Sequence, residues 1–244
     1  MDHLSRPVHR AIVLAAGNGD RFRNGSSRSK LTAVVAGKPL LEHTLTSAWH
    51  AGVTEAHIVL GFDREHIRRL ALACAPAGLT LHFHVNPHRH SENGVSVLAA
   101  RRSLGEGPFA LLMGDHLFDA RVLRRMLHMP RGDFAALLAI DRHTTDPLTA
   151  DEATKVTLRD QTVTAIGKTL DPFDALDTGL FVCESSLFDA LEASCARGDT
   201  ALSGGIAQLA VRGLVRAIDI GDARWCDVDT VADLAAAEAV AHHV

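Results

Sequence analysis

Tyrosine is absent from this 244-residue chain, and only four of its 25 basic residues are lysines: Lys30, Lys38, Lys155 and Lys168. Acidic residues number 29, leaving a net charge of −4 with histidine neutral. That balance excludes a generally basic surface, so no nucleic-acid partner is expected, and a polyanionic ligand needs positive charge gathered locally. Long apolar runs are missing too. None approaches the roughly 20 residues of a membrane span, and the polar start Met1-Asp2-His3-Leu4-Ser5-Arg6 has no signal-peptide core. These absences predict a soluble cytoplasmic protein without membrane insertion. Cys74, Cys183, Cys195 and Cys226 form no C-x-x-C and no zinc-like spacing with histidine, which reads as free thiols in a reducing compartment. Repeats, low-complexity tracts and proline-rich linkers are also lacking, so one domain over residues 1–244 is expected.

What is present is an ordinary globular composition, 47% hydrophobic and 22% charged. A chain of this length buries about 70–75% of its unfolded surface without help from disulfides or structural metal. Of its 15 histidines, His82, His84, His88 and His90 form the one dense group. They are read as solvated or core side chains rather than metal ligands.

Short apolar runs alternate with amphipathic ones through the first half, the signature of βα units and a parallel sheet. Strands are predicted at Ala11 to Leu14, Ala56 to Leu60, Leu79 to Val85 and Phe109 to Met113. Helices are predicted over Leu40 to Ala51, closed by Gly52, from a cap at Asp63 to about Ala73, over Gly94 to Ser103, and from a cap at Asp119 until Pro130. After residue 133 strands dominate, at Phe134 to Ile140, Ala153 to Leu158, Val163 to Ile166 and Leu180 to Cys183, which reads as antiparallel strands added to the sheet. Helices at Ser186 to Ala196 and Leu202 to Val211, a strand at Leu214 to Ile220 and a helix after Thr230 complete the chain.

The run Leu14-Ala15-Ala16-Gly17-Asn18-Gly19-Asp20-Arg21-Phe22 directly follows the first strand. A loop there turns backbone N–H groups toward an anion, its glycines allow close approach, and Arg21 adds a fixed fork of donors. Phosphate binding is the direct inference. The dinucleotide pattern G-x-G-x-x-G fails at Phe22, and no G-x-x-x-x-G-K-[ST] occurs.

Lys30 and Gly37-Lys38-Pro39-Leu40-Leu41 follow, then Met113-Gly114-Asp115-His116, Glu152-Ala153-Thr154-Lys155-Val156, Ile166-Gly167-Lys168, Asp177-Thr178-Gly179-Leu180-Phe181-Val182 and Trp225-Cys226-Asp227-Val228-Asp229-Thr230. In this order, over about residues 8 to 240, the motifs resemble the nucleotidyltransferases that make nucleotide-sugars and CDP-alcohols, most of all the inositol 1-phosphate cytidylyltransferase branch. Together with the element pattern, the resemblance implies an α/β fold with a Rossmann-like (GT-A-like) mixed, mostly parallel sheet. Residues 8–132 would form its nucleotide-binding half and 133–244 an antiparallel α+β extension that binds the acceptor. Three departures stand out: Asp20 where threonine or serine is usual, a long segment from Arg21 to Lys30 carrying Arg23 and Arg28, and Leu31 where proline usually follows the lysine. Arg28 is therefore an alternative to Lys30.

Asp115 ends a buried strand at the carboxyl edge of the sheet, where open α/β folds bind ligands. Asp227-Val228-Asp229 follows another short strand, and two separated carboxylates can hold one Mg²⁺ against a phosphate. Metal is assigned to Asp115 and Asp227, with Asp229 as a cap for the terminal helix or an outer ligand. From the resemblance, Leu14 to Gly19, Arg21 and Lys30 bind the nucleotide, and the loop carrying Asn93, Gly94 and Ser96 recognises the base, although an ordinary turn and helix cap explain those three equally well. Lys155, Lys168, Asp177, Thr178 and Gly179 are expected to bind the acceptor, Asp177 as a partner for hydroxyls. All four lysines fall inside these motifs.

The expected activity is transfer of a cytidylyl group from CTP to a phosphorylated alcohol with release of pyrophosphate, with Arg21, Lys30 and Lys168 as catalytic residues. Inositol 1-phosphate is the first acceptor choice; a sugar 1-phosphate, phosphocholine, 2-hydroxyethylphosphonate and 2-aminoethylphosphonate follow. Competing readings are a non-catalytic nucleotide-binding relative and a glycosyltransferase that uses Asp227-Val228-Asp229 as a metal-binding D-x-D. A homodimer is the expected assembly. Enzymes of this branch can be fused to a membrane-embedded transferase, and 244 residues leave no room for one, so a freestanding enzyme is expected.

Overall fold

In the computed structural model, which describes residues 7–17, 19, 22, 28–88, 91–143 and 153–241, strand β1 (Arg10–Ala15) is a buried apolar run flanked on both sides by parallel neighbours. β4 (Glu55–Leu60) lies on one side and β6 (Phe109–Met113) on the other, with β5 (Thr80–Val85) at the edge beyond β4. Past β6 the nine-stranded sheet continues through β11 (Ala175–Cys183), β8 (Ala136–Asp141), β12 (Val215–Asp219), β10 (Thr162–Gly167) and β9 (Lys155–Arg159). The partnerships are antiparallel except for β12 with β8, so all strands but β11 and β10 run the same way. The later strands thus join the first sheet itself, and the mixed architecture expected from the sequence is present.

Side-chain alternation splits the core between the two faces. Ala11, Val13, Ile58, Leu60 and Leu112 point to a layer made by α1 (Leu40–Ala51), α2 (Arg64–Cys74) and α4 (Ala120–His128). Ile12, Leu14, Val59, Leu111 and Phe181 point to the opposite layer of α3 (Asn93–Leu104), α5 (Ser186–Cys195) and α6 (Leu202–Ala210). A small third core joins Val35, Leu40 and Leu117 to Val228, Ala237 and Val240. It seats α7 (Asp233–Ala241) over the short pairings of β2 (Val34–Val35) with β3 (Lys38–Pro39) and of β7 (His116–Phe118) with β13 (Trp225–Asp227). No described helix is long and apolar enough to cross a membrane.

Local signals were obeyed at most ends. Gly52 closes α1 with φ 114°, and the Asp119 carboxylate caps α4 by accepting from Arg121 N at 2.8 Å. Asp63 is the exception. It precedes α2 in a left-handed conformation and makes no side-chain cap; its carboxylate accepts from Ser29 N at 3.2 Å instead. The short strands β2, β3 and β7 were missed because two or three residues carry no readable period. All four cysteines are free.

Candidate active site

Three strand ends close together where β1 stops. Gly114 N donates to Leu14 O at 3.0 Å, and Phe62 N donates to Ala16 O at 3.2 Å. A Cβ at Gly114 would stand 2.8 Å from Leu14 O, and one at Gly61 2.5 Å from Ala16 O, so glycine is required for this approach. Gly19 lies against the stem of Lys30, with φ 59° and room for a Cβ only 3.2 Å from Lys30 Cγ. Gly19 is thereby packed on the lysine that follows it. Gly17 is half-open with nothing near its Cβ direction; Asn18, Asp20, Arg21 and Arg23 lie outside the described residues, as do Glu152 and His90.

Lys30 opens a single 3₁₀ turn, Lys30–Thr32, in which the Ser29 side chain accepts from Leu31 N. The lysine is 9% exposed. Its Nζ lies 2.6 Å from Asp115 Oδ2 and 2.6 Å from Asp229 Oδ1. Burial opposes the charge, but Asp115, then Asp227 and Asp229, outweigh it and hold the ammonium above its ordinary pKa. Lys30 is therefore a fixed cation at the carboxyl edge of β6.

The pairing of β7 with β13 sets Asp227 opposite His116. Asp227 Oδ1 stands 3.3 Å from His116 Nε2, and Asp115 Oδ1 3.8 Å. His116 Nδ1 donates to Thr178 O at 3.0 Å, which fixes its tautomer on that side. Burial works against the imidazolium, while Asp227, Asp115 and the Thr178 carbonyl raise its pKa to about 9. Among the described residues, three carboxylates thus face one ammonium and one imidazolium. Asp227 Oδ1 is buried and has no hydrogen-bond partner among the described residues. Ligand atoms of Asp115, His116 and Asp227 all lie within 4.8 Å of one another. A buried carboxylate oxygen held by an ion pair with His116 alone, beside a second carboxylate, is the donor chemistry of a hard divalent cation.

Of the two sequence readings of Asp229, helix cap or outer ligand, the structure does not show the cap. The α7 entry is held by Asp233, whose Oδ2 accepts from Asp229 N at 2.9 Å and Thr230 N at 2.6 Å, while the Asp229 carboxylate goes to Lys30. Asp227 and Asp229 therefore serve different partners.

The acceptor segment borders this cluster. A bulge between Asp177 and Phe181 interrupts the pairing of β11 with β8. Gly179, at φ 77°, comes so near His116 that a Cβ would lie 2.5 Å from its ring. Gly179 N donates to Asp177 Oδ1 at 2.8 Å, and Thr178 Oγ1 donates to Ala139 O at 2.9 Å, so the Thr178 hydroxyl is spent on backbone. Burial raises the Asp177 carboxyl to about 6, against the Gly179 N–H and His116. β9 pairs Lys155 with Gly167 on one side and with Leu176 on the other. Lys155, Lys168 and Asp177 are thus gathered at one end of the β9, β10 and β11 group, with Lys155 Nζ 5.3 Å from the Phe173 ring centroid.

Asn93, Gly94 and Ser96 are engaged internally. Asn93 Oδ1 accepts from Leu202 N, a Cβ at Gly94 would stand 2.6 Å from Thr200 O, and Ser96 Oγ accepts from buried Asn86. These contacts seat the start of α3 against α6. The residue that sequence reasoning passed over is His116, whose signal was its place directly after Asp115.

The family described as the MobA-like NTP transferase domain matches residues 11–202. Among curated proteins, a bifunctional IPC transferase and DIPP synthase of Rubrobacter xylanophilus is 40% identical over 234 residues, covering 93% of this chain and 51% of that protein. A CMP-5'-(3-aminopropyl)phosphonate synthase of Streptomyces rubellomurinus is 42% identical over 129 residues, 52% of this chain and 20% of that protein. The chain spans about half the length of the first of these. Of solved structures, the inositol-1-phosphate CTP transferase from T. maritima superposes with a TM-score of 0.85 at 23% identity over 97% of this chain and 96% of the other. A UDP-glucose pyrophosphorylase from Acinetobacter baumanii superposes with a TM-score of 0.82 at 20% identity over 97% and 93%. Both share its fold.

Proposed function

Because this chain belongs to the MobA-like NTP transferase domain family, we propose that it is a Mg²⁺-dependent cytidylyltransferase that joins CTP to a phosphorylated alcohol, inositol 1-phosphate first, giving a CDP-alcohol and pyrophosphate. The observation that carries the proposal is Lys30, buried beside the glycine-rich turn and held by Asp115 and Asp229 at 2.6 Å each. A fixed buried cation next to a loop of backbone donors suits a triphosphate. CTP and the acceptor are supported by the names of the relatives, IPC transferase and DIPP synthase and inositol-1-phosphate CTP transferase.

An acceptor phosphate oxygen forms the new bond to the α-phosphorus of CTP while the bond from that phosphorus to pyrophosphate breaks, and no proton need move. Positioning and charge neutralisation are the main catalytic requirements. In this reading the turn at Leu14 to Gly19 donates N–H groups to the triphosphate, and Arg21 and Lys30 stabilise charge gathering on the leaving pyrophosphate. Lys168 and Lys155 hold the attacking phosphate, and Asp177, Thr178 and Gly179 line the acceptor's side. Asp115 and Asp227 would hold Mg²⁺, whose contribution is to neutralise phosphate oxygens. His116, fixed by Thr178, keeps Asp227 turned toward Asp115. Asn93, Gly94 and Ser96 act on the base by shaping its loop. Residues 8–132 serve the nucleotide and 133–244 the acceptor, in a cytoplasmic homodimer.

The glycosyltransferase reading is set aside because the family match and the names of the relatives point to nucleotidyl transfer. A phosphonate acceptor is kept as a second reading because of the phosphonate synthase relative. The experiment is a panel: each NTP against inositol 1-phosphate, a sugar 1-phosphate, phosphocholine and the two phosphonates with Mg²⁺, scored by pyrophosphate release. Release with CTP and inositol 1-phosphate is expected; nucleotide binding without release from any pair would identify a non-catalytic relative.

A further inference from the structure

The dense histidine group acquires two partners from distant sequence. Glu55 and His57 share a face of β4, and His82 and His84 share that face of β5, because the register sets His57 opposite His82. His57 is 1% exposed. Its Nε2 lies 2.8 Å from Glu55 Oε1, and its Nδ1 lies 2.9 Å from His84 Nε2. His82 Nε2 stands 3.4 Å from the same Glu55 oxygen, and its ring stacks on that of His57 with centroids 4.8 Å apart. One ligand atom from each of Glu55, His57 and His82 falls within 4.8 Å of the others.

We infer that Glu55, His57 and His82 form a second cation site, separate from the Asp115 and Asp227 cluster, for a borderline divalent transition metal such as Zn²⁺. Two imidazoles and a carboxylate are a donor set that suits Zn²⁺ and that Mg²⁺ avoids. Bonds of about 2.0–2.1 Å in tetrahedral geometry need ligand atoms roughly 3.3 Å apart. The His82 to Glu55 separation already meets this, and Glu55, with a side chain 37% exposed, is free to draw back from His57 by the remaining half ångström. The His82 side chain is 42% exposed, so the fourth position opens to solvent at the sheet edge.

A partner for the remaining ring nitrogen of His57 is in place as well. A ligating imidazole donates its other N–H to an acceptor, and His57 Nδ1 has His84 Nε2 at 2.9 Å to receive it. Binding switches the chain of hydrogen bonds: without metal, His84 donates to His57 and His57 to Glu55; with metal on His57 Nε2, His57 donates to His84. Arg10, on the neighbouring strand β1, donates to the carbonyl oxygens of Leu104, Glu106 and Pro108. A bound ion would pin edge strand β5, which leads directly to Asn86 and its bond to Ser96, onto β4.

The test titrates the chelator-stripped full chain with Co²⁺ in excess Mg²⁺, following the visible absorption of tetrahedral cobalt and the Tm, with Zn²⁺ as competitor. The expected result is one Co²⁺ with a raised Tm, displaced by Zn²⁺. Binding should be weakened at least tenfold in His82→Ala and in Glu55→Gln and unchanged in Asp115→Asn, while His82→Ala keeps its metal-free Tm. Absence of bound Co²⁺, binding that survives both His82→Ala and Glu55→Gln, or binding lost in Asp115→Asn would overturn the assignment.

Discussion

Lys30 and Asp229, 199 residues apart, are joined by a 2.6 Å hydrogen bond that ties the loop after β1 to the loop before α7. Asp115 takes the same ammonium from a third direction. Lys30 therefore occupies negative space that a divalent cation could use, and in the proposed function it also serves a phosphate. Replacing it by methionine is expected to lower kcat by about 10²–10³. The same change should tighten Mg²⁺ binding in the absence of nucleotide, because the carboxylates lose their internal counterion. Calorimetric titration of Mg²⁺ into Lys30→Met and the parent protein checks this; equal or weaker binding in the variant contradicts it.

Asp227 and Asp229 should be separable although only one residue lies between them. Asp227 Oδ1 is paired with His116 and faces Asp115 across it, whereas Asp229 is engaged by Lys30. Asp227→Asn is expected to raise the Mg²⁺ concentration for half-maximal rate at least tenfold. Asp229→Asn should lower kcat with that concentration little changed. Mg²⁺ saturation curves for the two variants decide, and the reverse pattern would exchange their roles.

The fold was largely legible because its strands are buried apolar runs bounded by glycines and caps, and the candidate site residues Gly17, Gly19 and Asp115 follow strand ends that such runs mark, whereas Lys30 lies in a 3₁₀ turn between strands. What was not legible depended on register. That Gly179 abuts His116, that Asp229 turns to Lys30, and that Glu55 and His57 lie beside His82 are consequences of strand pairing over long separations, which local period does not encode. Asp63 shows a different failure: its type and position were right for a cap, but the left-handed backbone sent its carboxylate to Ser29.

Gly179 is held by two constraints, a left-handed φ of 77° and a His116 ring 2.5 Å from any added Cβ. Gly179→Ala is expected to cost roughly 1–3 kcal/mol from backbone strain, plus displacement of His116. Combining it with His116→Ala removes the clash but not the strain. Denaturant titrations of the two single variants and the double variant should therefore show a smaller loss for the double than the sum of the singles. Additive losses would place Gly179 out of contact with His116.

Asp177 carries a pH signature in stability. Its carboxyl is raised from 3.8 to about 6 by burial, so between those values the folded chain holds a proton that the unfolded chain has released. Stability therefore falls as pH rises from about 4 to 6 through this group, by about 2–3 kcal/mol, and is level above. Asp177→Asn removes the dependence. The Tm difference between variant and parent should grow in the variant's favour from pH 4 to pH 6 and then hold; a difference independent of pH would contradict the assignment.

Asp115 is where the strand end, the lysine and the metal reading meet, so its substitution tests the whole account. The measurement is the rate of pyrophosphate release from CTP and inositol 1-phosphate with saturating Mg²⁺, for the parent protein and Asp115→Asn, both shown to be folded by their melting curves. The expected result is steady release by the parent and a loss of at least 10²-fold in the variant. A variant that turns over at a rate near the parent's would contradict a transfer centre built on Asp115.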